Sequence, residues 1–549
     1  MKKAFAVGLA VTAALLTTGT GQATPGPVTT VSAAFSGTGA SSAAAEARDP
    51  ALGIASNGAA VAAWTWLGNN KVSQFAVSNP DQIWSGPTAA PGTGNSNAEN
   101  HVVSVSPAGN AVVAWNDTVS ASGADGVRAF LRRNGALATT VTLTPATWNP
   151  SNSVEHIRAA VSDTGRAVVV WQLDNADGSF AVEAAIAEAG QTFGAARVIS
   201  TSGVDSYAPS VGIDSAGNAV AVWAAATNPD SLEYTSAAPG AGFGAPVTLD
   251  TTLTGASGAT QNPSLSVSPA GRMVVGYADN SVANCAQVTT IEVAVGTTTS
   301  GFTTPAAVSD CNGENASEPV AAANDNGAAV VVWTDALASG ANAIVAAFGT
   351  NGAFSPSITV TSALTVGEDY EYQVDLTSNK APMAYVAFIN GNPGQTAVYL
   401  ATGGPGGFSV GSALSPSGWS SDEPQLAVAP RSNAYAVAWE QTNGTSQVIG
   451  ATGYARQPTR LTFNRSAGSG TLSWAGGGVA GDRVQFTLRP PRGAAIASAA
   501  VTAASGAYTV NIWNGRVHRY YNGTCKVTGA FAGDAFYLPS SSGTVSFHC

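Results

Sequence analysis

Polar and apolar positions along this chain follow one pattern that returns again and again. In the second instance, His101-Val102-Val103-Ser104-Val105 alternates, as a strand with two different faces does. Ser106-Pro107-Ala108-Gly109 then reads as a tight turn. Proline presets a backbone angle suited to a type I turn, and glycine takes the left-handed position that follows. Ala111-Val112-Val113-Ala114-Trp115 is apolar throughout, as expected of a strand covered on both faces. Two weaker strand patterns follow, such as FAVEAAIAEAG and TFGAARVIS after Trp171. Each unit therefore predicts four short antiparallel strands and no helix.

Aligned on the closing aromatic, the units end at Trp64, Trp115, Trp171, Trp223, Tyr277, Trp333, Val386 and Trp439, with spacings of 51 to 56 residues. The copy ending at Val386, EYQVDLTSNKAPMAYV, is degenerate, and in the last copy Asn433 stands where the others have glycine. Four strands repeating at this period are the signature of a β-propeller blade. The fold expected is all-β: an eight-bladed propeller, with seven blades as the alternative. The eighth unit offers only three strands before the composition changes, while PGPVTTVSAAF near the N-terminus resembles a fourth-strand pattern. The mature N-terminal strand is thus expected to complete the last blade, as is common in propellers, and to leave no open sheet edge.

The repeat stops near Gln457. Gly533-Asp534-Ala535-Phe536-Tyr537-Leu538-Pro539-Ser540-Ser541-Ser542 resembles the GDxxYxPSxS stretch of bacterial Ig-like domains. That resemblance implies a C-terminal Ig-like β-sandwich and a bacterial source. The organisation expected is a signal peptide at 1–23, the propeller at 24–456 and the sandwich at 457–549. Lys2 and Lys3, the apolar run from Ala4 to Leu16, and small residues before Thr24 form the signal pattern. The run is too short to span a bilayer, which predicts a secreted, extracellular or loosely surface-associated protein without a transmembrane anchor. The four cysteines fall into two local pairs, Cys285–Cys311 and Cys525–Cys549, expected as disulfides in an oxidising compartment.

Charge divides between the two parts. Residues 456–549 carry a net +7 and residues 24–455 a net −20. A basic tail fits attachment to an anionic envelope polymer, or simple spacing, and nothing suggests nucleic acid. A monomer is expected.

The chain is poor in catalytic motifs. HExxH, a phosphate-binding P-loop, a helix-opening Rossmann pattern and a G-x-S-x-G nucleophile elbow are not expected. The tryptophan stands six residues after the turn glycine, whereas a sialidase Asp-box has its aromatic three after. The threonine-glycine-lysine group of quinoprotein repeats does not precede it. No cofactor or metal is called for, Ca²⁺ being the one conceivable ion. The repeated tryptophans are expected to pack between blades.

Counting back from each tryptophan gives the start of every first strand, where a propeller gathers its loops around the channel. The residues there are Asp49, Glu99, Asn100, His156, Asn262, Glu318, Glu371 and Glu423, the candidate ligand-binding set. Carboxylates and amides in a ring suit a cation or a hydroxyl-rich glycan. His101, His156, Glu155 and Tyr207 are the candidates for acid–base chemistry, although neighbours on a regular strand point to opposite faces and make no dyad. The expected function is extracellular binding of a glycan or protein partner through the acidic face. The alternatives are a carbohydrate-active enzyme, lyase or hydrolase, with its site at the channel mouth, and a structural envelope protein without a ligand.

Overall fold

The computed structural model describes residues 29–30 and 46–549, apart from 68–70, 81–82, 92–96, 120–123, 146–148, 150, 254–261, 280–288, 310–315, 337–341, 365–370, 378–382, 431–433, 445, 454–458, 466, 475–476, 480, 504, 514–522, 534–536 and 538. The signal segment, Asn433 and the Cys285–Cys311 pair lie outside the described residues.

Among the described residues, antiparallel sheets follow one another along the chain, and one parallel bridge between Glu46 and Gln447 joins the strands of the first and last units into a single larger sheet. Their innermost strands are Glu46–Ile54, Ala98–Val105, Ser153–Val161, Ser206–Ile213, Ser264–Val267, Ala316–Ala323, Tyr372–Leu376 and Ser420–Val428. Each packs against the next, and the last returns to the first, so the sheets close a ring around a channel. The fold is an all-β propeller. Its inner strands approach closely: a Cβ added at Gly53 or Gly212 would come within 2.7 Å of Val105 or 2.3 Å of Val267 on the neighbouring inner strand.

The ring is fastened as the sequence predicts. Thr29 and Thr30 pair antiparallel with Ala451 and Gly450 and supply the fourth strand of the last sheet. The turn also behaves as expected: Gly109 has φ 87°, and its amide donates to the Ser106 carbonyl at 2.9 Å.

Trp64, Trp115, Trp171, Trp223, Trp333 and Trp439 are fully buried. Each packs into a core shared with the preceding sheet, as Trp171 does with Val112 and Ala114, and Trp439 with Ala387 and Ile389. Where acceptors exist they sit nearby: Glu183 takes the Trp171 Nε1–H at 3.1 Å and Glu233 that of Trp223 at 3.2 Å. In the degenerate seventh unit the register corrects the alignment. Gln373 pairs with Ala387, so Phe388 rather than Val386 stands in the tryptophan's place, packed against Val330 and Val332. The longer connection between these two strands hid that aromatic from alignment on the turn.

In the C-terminal segment, one sheet holds Arg460–Leu461, Ser469–Trp474, Gly477–Gly478 and Ala507–Thr509. A second holds Ile496–Val501, Arg483–Arg489, Thr524–Phe531 and Ser540–His548. Both line one core that includes Leu472, Phe486, Leu488 and Val527, together with the Cys525–Cys549 disulfide. Among the described residues no helix is long and apolar enough to cross a membrane.

Candidate functional site

The first strands do not run regularly to their ends. In six of them the register slips by one residue at one repeat position: between Arg48 and Ala51, Glu99 and Val102, Glu155 and Arg158, Tyr207 and Ser210, Ser317 and Val320, and Asp422 and Gln425. Two residues there oppose a single one, the repeat tryptophan, which makes a β-bulge. The first residue of each bulge lies in the left-handed region: Asp49 (φ 52°), Asn100 (53°), His156 (49°), Ala208 (50°), Glu318 (54°) and Glu423 (49°). That conformation favours glycine, and a side chain held there costs about 1–3 kcal/mol.

Five of these six residues, Ala208 excepted, converge on one cavity of about 610 Å³ at the channel mouth. Glu371, Glu155 and Arg158 share its wall, as do Tyr372, Gln373 and Gln425. Of the ligand-binding candidates, the cavity therefore unites Asp49, Asn100, His156, Glu318, Glu371 and Glu423. It does not include Glu99, which pairs with Lys71 across the first two blades, nor the exposed Asn262.

The acid–base candidates separate. His101 borders the cavity, but its ring is turned into the blade interface, with Nε2 2.9 Å from Ser73 Oγ and Nδ1 3.4 Å from Thr65 Oγ1. It stacks on Trp115, and burial pushes its pKa down to about 3. Tyr207 packs on Phe180 with centroids 4.9 Å apart and takes no part in the wall. Glu155 and His156, by contrast, both face the cavity, with carboxylate and Nε2 4.0 Å apart. This corrects the strand-alternation argument against a dyad, since His156 itself begins the bulge that breaks the alternation. Burial and the Arg158 charge hold the His156 pKa below its ordinary value, partly offset by Asp174. Burial and Asp174 raise that of Glu155.

Several carboxylates of the cavity wall and its surroundings couple where the last blade meets the first. Burial, then the charges of Asp49, Glu440, Glu371 and Asp422, push Glu423 up to about 8. Burial raises Glu440 to about 7, against the hydrogen bond from Gln447 and the charge of Arg48. The Glu371 carboxylate accepts the bulge amide of Glu423, and Asp49 accepts the Thr65 hydroxyl at 3.1 Å. Sequence reasoning missed the contribution of Arg158, Gln373 and Gln425. They stand two residues beyond the bulge position, on the same side of the strand, and that spacing was the available signal.

Two further features bear on chemistry. Gly407-Phe408-Ser409-Val410-Gly411 does spell G-x-S-x-G, against expectation. It lies on the outer strand Gly407–Val410 with no helix after it, and an elbow needs a strand-to-helix turn. Separately, carboxylate oxygens of Asp250, Asp279 and Glu292 lie within 4.8 Å of one another. The hydroxyl of Tyr277, which replaces the repeat tryptophan, bridges Asp250 at 2.7 Å and Glu292 at 2.8 Å. These three oxygens would be the donors for a cation there, short of the six to eight that Ca²⁺ takes.

No protein-family model matches the chain, and no curated protein matches it. Among solved structures it is similar to an ulvan lyase from a new polysaccharide lyase family, at 11% identity and a TM-score of 0.41, over 74% of this chain and 94% of that one. It is also similar to a leech intramolecular trans-sialidase, at 10% identity and a TM-score of 0.38, over 75% and 93%. The β-propeller domain of the trilobed protease of Pyrococcus furiosus matches at 8% identity and a TM-score of 0.38, over 68% and 100%. Likeness at this level says nothing of activity, and the propeller assignment rests on the strand order and the closed ring.

Proposed function

We propose that this protein binds a hydroxyl-rich extracellular glycan at the mouth of its channel. The observation that carries this reading is the occupancy of the bulges. Glycine would fit each left-handed position without strain, yet Asp49, Asn100, His156, Glu318 and Glu423 stand there and converge on one cavity. Carboxyl, amide and imidazole groups supply the donors and acceptors that sugar hydroxyls need, and the cavity falls within the size range of ligand sites. On the same reading the chain is exported, and the tail from 457 is an Ig-like module whose basic surface holds an anionic envelope polymer. A glycan array probed with the mature protein, with and without calcium, tests the proposal. Binding to a defined glycan class is expected; blanks under every condition overturn it.

A second reading, turnover of the bound glycan by a lyase or hydrolase mechanism, is favoured by Glu423. A carboxyl pushed up to about 8 is protonated at neutral pH and can donate to a glycosidic oxygen. The neighbouring carboxylates of Asp49 and Glu371 would be the bases. New reducing ends released by the wild type and not by Glu423→Gln would establish turnover. A glycan recovered intact restricts the site to binding.

A further inference from the structure

The wall of the cavity is electrically uneven. Asp49, Glu318 and Glu423 come from the first, sixth and eighth inner strands and Glu371 from just before the seventh, whereas the third contributes the single acid Glu155. Arg158 comes from the third, which in ring order lies across from the seventh. It is the only lysine or arginine lining the cavity among the described residues.

Arg158 is also under-used. A guanidinium offers five N–H donors. Among the described residues this one makes a single hydrogen bond, from Nη1 to the carbonyl of Ile157 at 2.9 Å, and no ion pair. Its contrast with Arg166 is sharp. Arg166, in the third blade's hairpin turn, spends its guanidinium on Glu188 and on the carbonyls of Gly217, Ala237 and Ala241. A structural arginine is tied down in that way. Arg158 faces the cavity beside His156 with its fork open.

We infer that the site takes a glycan carrying one isolated carboxylate, a single uronic acid among neutral sugars, with that carboxylate seated on the Arg158 guanidinium. The inference rests on the glycan reading and narrows it. The planar fork of arginine matches a carboxylate through two parallel hydrogen bonds. The acidic arc opposite accepts hydroxyls from the neutral sugars and repels a second negative charge. A chain with an acid on every sugar should therefore fit worse than a chain with one.

Equilibrium titration of the mature protein with three probes tests this: a glucuronyl-xylotriose, the same oligosaccharide with its carboxyl reduced to the alcohol, and an oligogalacturonate of equal length. The mono-acid is expected to bind tightest, with carboxyl reduction costing about tenfold or more. Arg158→Gln should abolish the difference between the acid and its reduced form while leaving affinity for the reduced form within a few fold. Arg158→Lys should restore part of it. A thermal melt equal to wild type certifies each variant. Equal binding of acid and reduced forms by the wild type overturns the inference and leaves the glycan site standing, as does an unchanged preference in Arg158→Gln. Binding of none of the three by the wild type overturns the inference too, and the glycan reading then stands or falls on the array.

Discussion

Glu423 and Trp439 face each other across the first hairpin of the last blade: Glu423 and its neighbour Pro424 form the bulge that opposes this one buried ring. The same relation joins Asp49 to Trp64, Asn100 to Trp115, His156 to Trp171 and Glu318 to Trp333. The tryptophan is therefore both a wedge against the preceding blade and the counterpart of the bulge that aims a polar side chain at the channel.

Truncating such a ring should act on both levels. Trp171→Ala removes the packing against Val112 and Ala114 and should destabilise by about 3–5 kcal/mol. Phe388→Ala should behave like the tryptophan variants and Val386→Ala more mildly, because Phe388 fills the aromatic position. Chemical denaturation compares them directly.

The bulges predict an inverted pattern of stability. Ala208→Gly relieves a left-handed alanine that does not border the cavity, so it should raise stability and leave ligand binding unchanged. Strain of about 1–3 kcal/mol is released, offset by roughly 0.5–1 kcal/mol of glycine entropy. His156→Gly should show a similar gain together with weakened binding. Paired melts and titrations check both.

Stability should depend on pH from two directions. His101, held at about 3 in the folded state against an ordinary 6.5, costs stability as pH falls from 6.5 towards 3. The unfolded chain takes up that proton and the buried ring does not, at roughly 1.4 kcal/mol per pH unit. Glu292 works the other way. Burial raises it to about 7. Its contribution is full below about 4.5 and is lost as pH rises to about 7, when the unfolded carboxyl has already ionised. Relative to wild type, His101→Gln should flatten the acid limb and Glu292→Gln the neutral one.

The Cys525–Cys549 disulfide closes a loop of 24 residues' separation inside the C-terminal core. Reduction should destabilise that unit by about 3–4 kcal/mol, visible as a shifted melting transition with and without reductant.

Much of this was legible in sequence. Alternation, turn residues and the 51–56-residue period gave the blades, and the Thr29–Thr30 closure followed from a strand count that ended one short. Counting back from each tryptophan reached Asp49, Asn100, His156, Glu318, Glu371 and Glu423, because residues fixed by one repeat geometry share one face of the ring. The bulges were not legible. A left-handed position usually announces itself by glycine, and here the chain places Asp, Asn, His, Ala and Glu instead. That concealment is why Glu155 and His156 were set on opposite faces, and why Arg158, two residues past the left-handed position, went unassigned. His101 misled for a different reason. A histidine one residue beyond the bulge position looks the same in sequence whether its ring enters the cavity or the blade interface.

The most direct measurement joins these threads. A variant with Asp49, Asn100, Glu318 and Glu423 all replaced by glycine keeps the bulges, in an unstrained form, and strips the mouth of its chemistry. It should melt at or above the wild-type temperature and lose glycan binding on the array. An unchanged glycan profile in this folded variant would contradict the claim that the channel mouth is the site.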